Sequence, residues 1–190
     1  MNGSEISDKK VVKLVFAALF AAITCVVTMM IRLPSLGPNG YVNIGDTFVL
    51  LSAWIIGGPY GALAAGIGSG LADLLAGYGV YVPGTAIIKF SMAFAAWILF
   101  RIIKGKDEKK SERLEGRKAA AYLASAIIAE IIMVAGYFVY EFVILRYGAG
   151  AGAAIISNLF QGGANIIISV VIVNALEKVH LLGAVKRLLA

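Results

Sequence analysis

Cysteine and histidine are almost missing from this sequence: Cys25 and His180 are the only examples among 190 residues. One cysteine allows neither an internal disulfide nor a cysteine metal cluster, and Cys25, inside an apolar run, reads as a small buried filler. With His180 in the C-terminal tail, no histidine pair is available in the apolar body, which excludes a zinc protease or a Ser/His hydrolase. A GxxxxGK[ST] phosphate loop is also lacking, so any ATP hydrolysis belongs to partners. The nearest approach to a dinucleotide loop, GIGSGLADLLAG at 66–77, fails because Leu71 stands where the third glycine is needed. Charged residues are scarce, at 15%.

Apolar residues fill the space: they make up 60% of the chain, and its mean hydropathy is +0.87. The run 11–31 is broken only by Lys13 and matches the ~20 residues that span ~30 Å of hydrocarbon. It ends in Arg32-Leu33-Pro34 rather than a small-residue cleavage site, so it is expected to be a retained helix. Polar breaks divide the chain into six apolar segments, 11–31, 47–56, 60–76, 83–103, 119–145 and 151–176, of which the second and third are short and glycine-rich. The expectation is an all-α fold, a single membrane domain (1–190) of six transmembrane helices.

The net charge of +6 reflects membrane side rather than nucleic acid. With the N-terminus in the cytoplasm, fourteen of the 17 Lys and Arg fall on that side. Only Arg32 and Arg146 fall on the other, and Lys89 lies within a span. The positive-inside rule then places both termini in the cytoplasm. The segment Lys104–Lys118 reads as a mixed-charge cytoplasmic loop, either a solvated linker or a partner surface. The tail KVHLLGAVKRLLA is predicted to be an amphipathic helix on the inner surface. Ala62, Gly66 and Gly70 repeat every four residues, the spacing of close helix packing. Ala17 with Ala21, and Ala18 with Ala22, carry the same spacing in the first span. They serve either internal packing or docking of another membrane protein.

Ionisable groups inside a membrane usually face a cavity or a partner, and four stand out: Asp73, Lys89, Glu130 and Glu141. Glu130, Tyr137 and Glu141 share one helix face within ~40°, and so do Asn158, Gln161 and Asn165. Lys89 lies ~9 Å below the outer end of its span. Three helices thus bring polar groups to one level, which indicates a binding site. Structural readings stand beside it: Lys89 paired with Glu141 or Asp73, the asparagine stripe as interhelical glue, Glu130 as a helix tie, and Tyr78 and Tyr81 as interface anchors. The loop GPNGYVNIGD at 37–46 joins the first two spans over this pocket, and Pro38 and its glycines favour a folded lid. Tyr41 is placed to stack on a planar ligand and Asn43 to hydrogen-bond it, while Asp46 either binds ligand or caps the second helix.

The six segments, the alanine pairs, the NGYVNIGD loop and the stretch GALAAGIGSGLADLLAGY together resemble the substrate-binding S component of an energy-coupling factor (ECF) transporter. The resemblance implies high-affinity capture of a vitamin from outside, in the plasma membrane of a prokaryote, with no catalytic residue, metal or cofactor. It also implies partners: a transmembrane coupling protein and two cytoplasmic ATPases, with Ala17, Ala18, Ala21 and Ala22 forming the docking face. The residues matching the family's site are Asn43, Tyr81, Lys89, Tyr137, Glu141, Asn158 and Gln161, with Tyr41 beside them. The YVNIGD loop departs from the more acidic loop of riboflavin members. It points to a hydroxymethylpyrimidine- or pyridoxine-like ligand ahead of riboflavin or cobalamin.

Two other classes compete. A self-sufficient secondary transporter would use Glu130 and Lys89 as an ion or proton relay, but segments two and three do not visibly repeat as five and six. A membrane enzyme would need Asp73 and Glu141 as paired carboxylates, without any nucleophile–base pair or metal cluster.

Overall fold

The computed structural model describes residues 3–38, 40–105 and 112–189. Among them are seven α-helices: α1 (Gly3–Met30), α2 (Asp46–Ile55), α3 (Gly58–Leu75), α4 (Val82–Lys104), α5 (Glu112–Val139), α6 (Ala149–Lys178) and α7 (Leu181–Leu189). The all-helical expectation has one exception. Strands β1 (Arg32–Pro34) and β2 (Tyr41–Asn43) pair antiparallel between α1 and α2, with Leu33 opposite Val42.

Four helical segments are long and apolar enough to cross a membrane: Lys9–Met30, Gly79–Lys104, Glu115–Ile144 and Ala149–Lys178. They correspond to the first, fourth, fifth and sixth expected spans. The second does not match a crossing, because α2 has 10 residues and so measures ~15 Å. Nine of those ten side chains are buried: α2 is the centre of the bundle. It ends where Gly57 and Gly58 both take positive φ (69° and 57°), a reversal that other residues resist. Pro59 then opens α3 at a position where its missing N–H costs nothing.

Around α2 the helices run α1, α3, α4, α5, α6, and glycines sit at their seams. A side chain at Gly68 would overlap the backbone of Ala21 in α1. A Cβ at Gly66 would lie 2.6 Å from the Ala86 carbonyl of α4, and one at Gly136 would lie 2.9 Å from Ile88. A Cβ at Gly162 would lie 3.1 Å from that of Glu130, across the α5–α6 seam. Lipid offers no hydrophobic drive between helices, so backbone approach through small residues supplies the packing. The core below the hairpin is apolar: Leu50, Trp54, Met92, Tyr122 and Met133 are fully buried or nearly so.

Two further expectations change. The amphipathic tail forms α7, but Leu182 and Leu189 are buried and the helix packs against α1, α2 and α6. It closes the end of the bundle opposite the hairpin. Of the expected loop Lys104–Lys118, Lys104 belongs to α4 and 112–118 to α5, while 106–111 lie outside the described residues.

Candidate functional site

Five positions of α6, Gly150, Ala154, Ser157, Gln161 and Asn165, follow i, i+4, i+7, i+11, i+15 and form one stripe. The hairpin and the start of α2 lie along it. Pro38 is seated on Gly150, where any Cβ would overlap its ring, and a Cβ at Gly37 would lie 3.0 Å from that of Ala154. The Leu36 amide donates to Ser157 Oγ at 2.8 Å, and the Asn43 amide donates to Gln161 Oε1 at 2.9 Å. Asn165 uses both ends of its side chain. Its Oδ1 accepts from the Thr47 amide and hydroxyl, each at 2.8 Å. Its Nδ2 donates to the Asn43 and Gln161 carbonyls, each at 2.9 Å. The lid is thus stitched into the bundle rather than resting over it.

Under the hairpin lies a buried ion pair. Lys89 Nζ meets Asp46 Oδ1 at 2.5 Å, with side-chain exposures of 4% and 1%. Gln161 Nε2 donates to the other Asp46 oxygen at 2.6 Å, and the ammonium lies 5.2 Å from the centre of the Tyr137 ring. Lys89 is seven residues into α4, ~10 Å along its axis, so Asp46 starts α2 at that depth. Asp46 is therefore not the cap: Gly45 holds that position. Nor does Lys89 pair with Glu141 or Asp73, because the hairpin brings a nearer carboxylate to it.

Between hairpin and helices is a cavity of about 40 Å³, lined by Ser35, Gly40, Tyr41, Asn43, Asp73, Tyr78, Tyr81, Thr85, Tyr137, Glu141, Asn158 and Gln161. Its walls are tied in pairs. Tyr41 donates to Asp73 Oδ1 at 2.7 Å, Tyr81 donates to Glu141 Oε1 at 3.1 Å, and Thr85 and Tyr137 share a hydroxyl contact of 2.9 Å. Burial, and then the neighbouring Asp73, hold the Tyr41 phenol above its usual range. Glu141 sits in a π-helical turn, Tyr140–Ile144, that prolongs α5; such turns re-aim side chains, often at functional sites. Its Oε2 is buried without a partner. The rings of Tyr41 and Tyr78 are 4.9 Å apart, and those of Tyr78 and Tyr81 are 6.3 Å apart.

Seven of the eight residues named from sequence, Tyr41, Asn43, Tyr81, Tyr137, Glu141, Asn158 and Gln161, surround this cavity. Lys89 does not; its charge is taken up by Asp46 beneath. Sequence reasoning left Asp73, Tyr78 and Thr85 out of the cavity wall and did not assign Asn165 its central role. Asp73 had a signal, an acid within a span, and Asn165 belonged to the recognised stripe. Thr85 carried none. The four alanines divide: Ala18 and Ala22 are exposed, whereas Ala17 and Ala21 are partly covered, Ala21 by Gly68.

Residues 8–178 match the family described as ECF-type riboflavin transporter, S component. A protein of Pyrococcus woesei, described only as uncharacterized, is 32% identical over 143 residues, covering 75% of this chain and 86% of the relative. The family match corrects the expectation of a pyrimidine or pyridoxine S component, which rested on the acidity of one loop. A match over nearly the whole chain, with a polar cavity closed by a hairpin in a bundle of membrane helices, identifies a multi-pass membrane protein of vitamin transport. The chain belongs to the family of S components of ECF-type riboflavin transporters.

Proposed function

We propose that this chain captures a riboflavin-like vitamin from outside a prokaryotic cell. It then delivers the vitamin to a transmembrane coupling protein driven by two ATPase subunits. The observation that carries the reading is the cavity itself: four tyrosines, three amides and two carboxyls beneath a hairpin that closes it. Tyrosine faces suit a planar heteroaromatic ring, and amides and carboxyls suit the donors and acceptors around its edge. Small-molecule pockets typically measure ~300–1,000 Å³, far above the 40 Å³ here. The hairpin must therefore lift and the tyrosines repack before a vitamin is held. With both termini cytoplasmic, and with the descending hairpin and α2 together making up the second crossing, this opening would lie outside and the exposed Ala18 and Ala22 on a face free for the coupling protein.

Titrating purified protein with riboflavin while following flavin fluorescence tests the reading. Quenching at stoichiometric protein, not reversed by excess hydroxymethylpyrimidine or pyridoxine, is the expected result. No quenching together with tight binding of either competitor would reject riboflavin as the ligand. A buried carboxyl near the ion pair favours the other reading, a self-sufficient carrier. Uptake by the chain alone in vesicles, driven by a pH or sodium gradient, would establish that reading instead.

A further inference from the structure

Four carboxyl groups are buried in the hairpin half of the bundle, Asp46, Asp73, Glu130 and Glu141, each at most 6% exposed. Against them stands one buried ammonium among the described residues, that of Lys89. Three of the carboxyls accept from donors: Asp46 from Lys89 and Gln161, Asp73 from Tyr41, and Glu141 from Tyr81. Glu130 is different. Both of its oxygens are buried, and neither has a hydrogen-bond partner among the described residues.

Its position is not remote from the others. A Cβ at Gly162 would lie 3.2 Å from Glu130 Oε2, and the residue before it, Gln161, holds Asp46. The charged groups whose fields reach Glu130 are Asp46 from α2 and Lys89 from α4; α6 presents Gly162, and Tyr137 stands two turns away on α5 itself. Glu130 also borders an apolar groove of about 510 Å³ between α5 and α6, walled by Ile131, Val134, Leu159 and Ile166. An ionised carboxylate with no donor, shut away from water beside such walls, is strongly disfavoured, and a group so placed neutralises instead.

We propose that Glu130 is a proton-binding site and the reserve counter-ion of Lys89. It holds its proton while Asp46 accepts from the ammonium, and it takes over when Asp46 is drawn away. In the exchange the proton passes from the Glu130 carboxyl to the Asp46 carboxyl, the ammonium moves to Glu130, and the net charge is unchanged. The hairpin supplies the occasion, because Asn43 and Asp46 share Gln161 as a partner. Lifting the strand disturbs both. The exchange does not depend on which ligand the cavity takes.

Infrared spectra of the full-length protein in lipid nanodiscs at neutral pH test the proton site. The wild-type spectrum is expected to contain a protonated-carboxyl stretch that E130Q lacks; no such difference overturns the proposal. The reserve role is tested by D46N, in which asparagine cannot take the proton and Glu130 must release it to solvent. The same band is expected to disappear, with the protein still folded. Adding E130Q to D46N is expected to lower the thermal midpoint by more than the two single changes together, whereas E130Q alone leaves it unchanged. Persistence of the band in D46N, additivity of the two changes, or a D46N protein that fails to fold would each overturn the reserve role.

Discussion

The hydroxyl of Tyr41, on the hairpin, donates to Asp73 of α3 at 2.7 Å, while two residues on the Asn43 amide donates to Gln161 of α6. One three-residue strand is thereby latched to both sides of the cavity. Tyr41→Phe removes the α3 latch and leaves Asp73 short of a donor, a loss of about 1–3 kcal/mol. With riboflavin as the proposed ligand, its release, followed by fluorescence, is expected to speed up at least several-fold. An unchanged rate would mean the latch takes no part in closure.

The same phenol makes a pH prediction. Its folded pKa is raised, so the native state keeps a proton that the unfolded chain loses near pH ~10. This stabilisation is fully present below about pH 10 and declines as pH rises above it. Thermal midpoints at increasing alkaline pH should fall more steeply in wild type than in Tyr41→Phe. Parallel curves would remove Tyr41 as the source.

Removing Lys89 should act first on folding. Lys89→Ala strands a buried Asp46, a class of change that costs about 3–5 kcal/mol, and folded yield in detergent is expected to drop sharply. Pairing it with Asp46→Asn should recover much of the yield. Normal yield of Lys89→Ala with only weakened ligand binding would support a direct ligand role for Lys89.

Three hydrogen bonds of Asn165 join α6 to Asn43 and Thr47. Asn165→Ala takes a partner from the Asn43 carbonyl and leaves the Thr47 amide only a 3.3 Å contact with the Ile44 carbonyl, with a penalty of about 1–3 kcal/mol for each group left unsatisfied. Hydrogen exchange at the Thr47 amide should accelerate while amides in the middle of α4 stay protected. Uniform acceleration would show that Asn165 supports the whole bundle rather than the lid.

The alanines of α1 separate docking from packing. Ala21 lies against Gly68, so Ala21→Trp should destabilise the α1–α3 seam by at least the ~1–3 kcal/mol typical of overpacking. Ala18→Trp points away from the bundle and should spare both folding and vitamin binding. Transport with co-expressed coupling and ATPase subunits should nonetheless fall. Full transport by Ala18→Trp would place the docking face elsewhere.

Long-range electrostatics and short-range packing were legible to different degrees. Apolar runs of about twenty residues have to be membrane helices, because a backbone in lipid must satisfy its own hydrogen bonds. Small residues at four-residue spacing pack a seam at Gly66 and Gly70, which lie against α4, whereas Ala18 and Ala22 with the same spacing are exposed. The shared face of Gln161 and Asn165 followed from helical period alone. Period and composition do not say how deep a loop descends or how helices rotate about one another. The partner of Lys89 is Asp46, 43 residues away, because the hairpin carries the start of α2 to the depth of the lysine. The same descent made α2 a short central helix, enlisted Asn165 to hold the hairpin, and left Glu130 beside an ion pair it does not join. Those outcomes depend on which side chains meet at one depth, and only the packed bundle sets that.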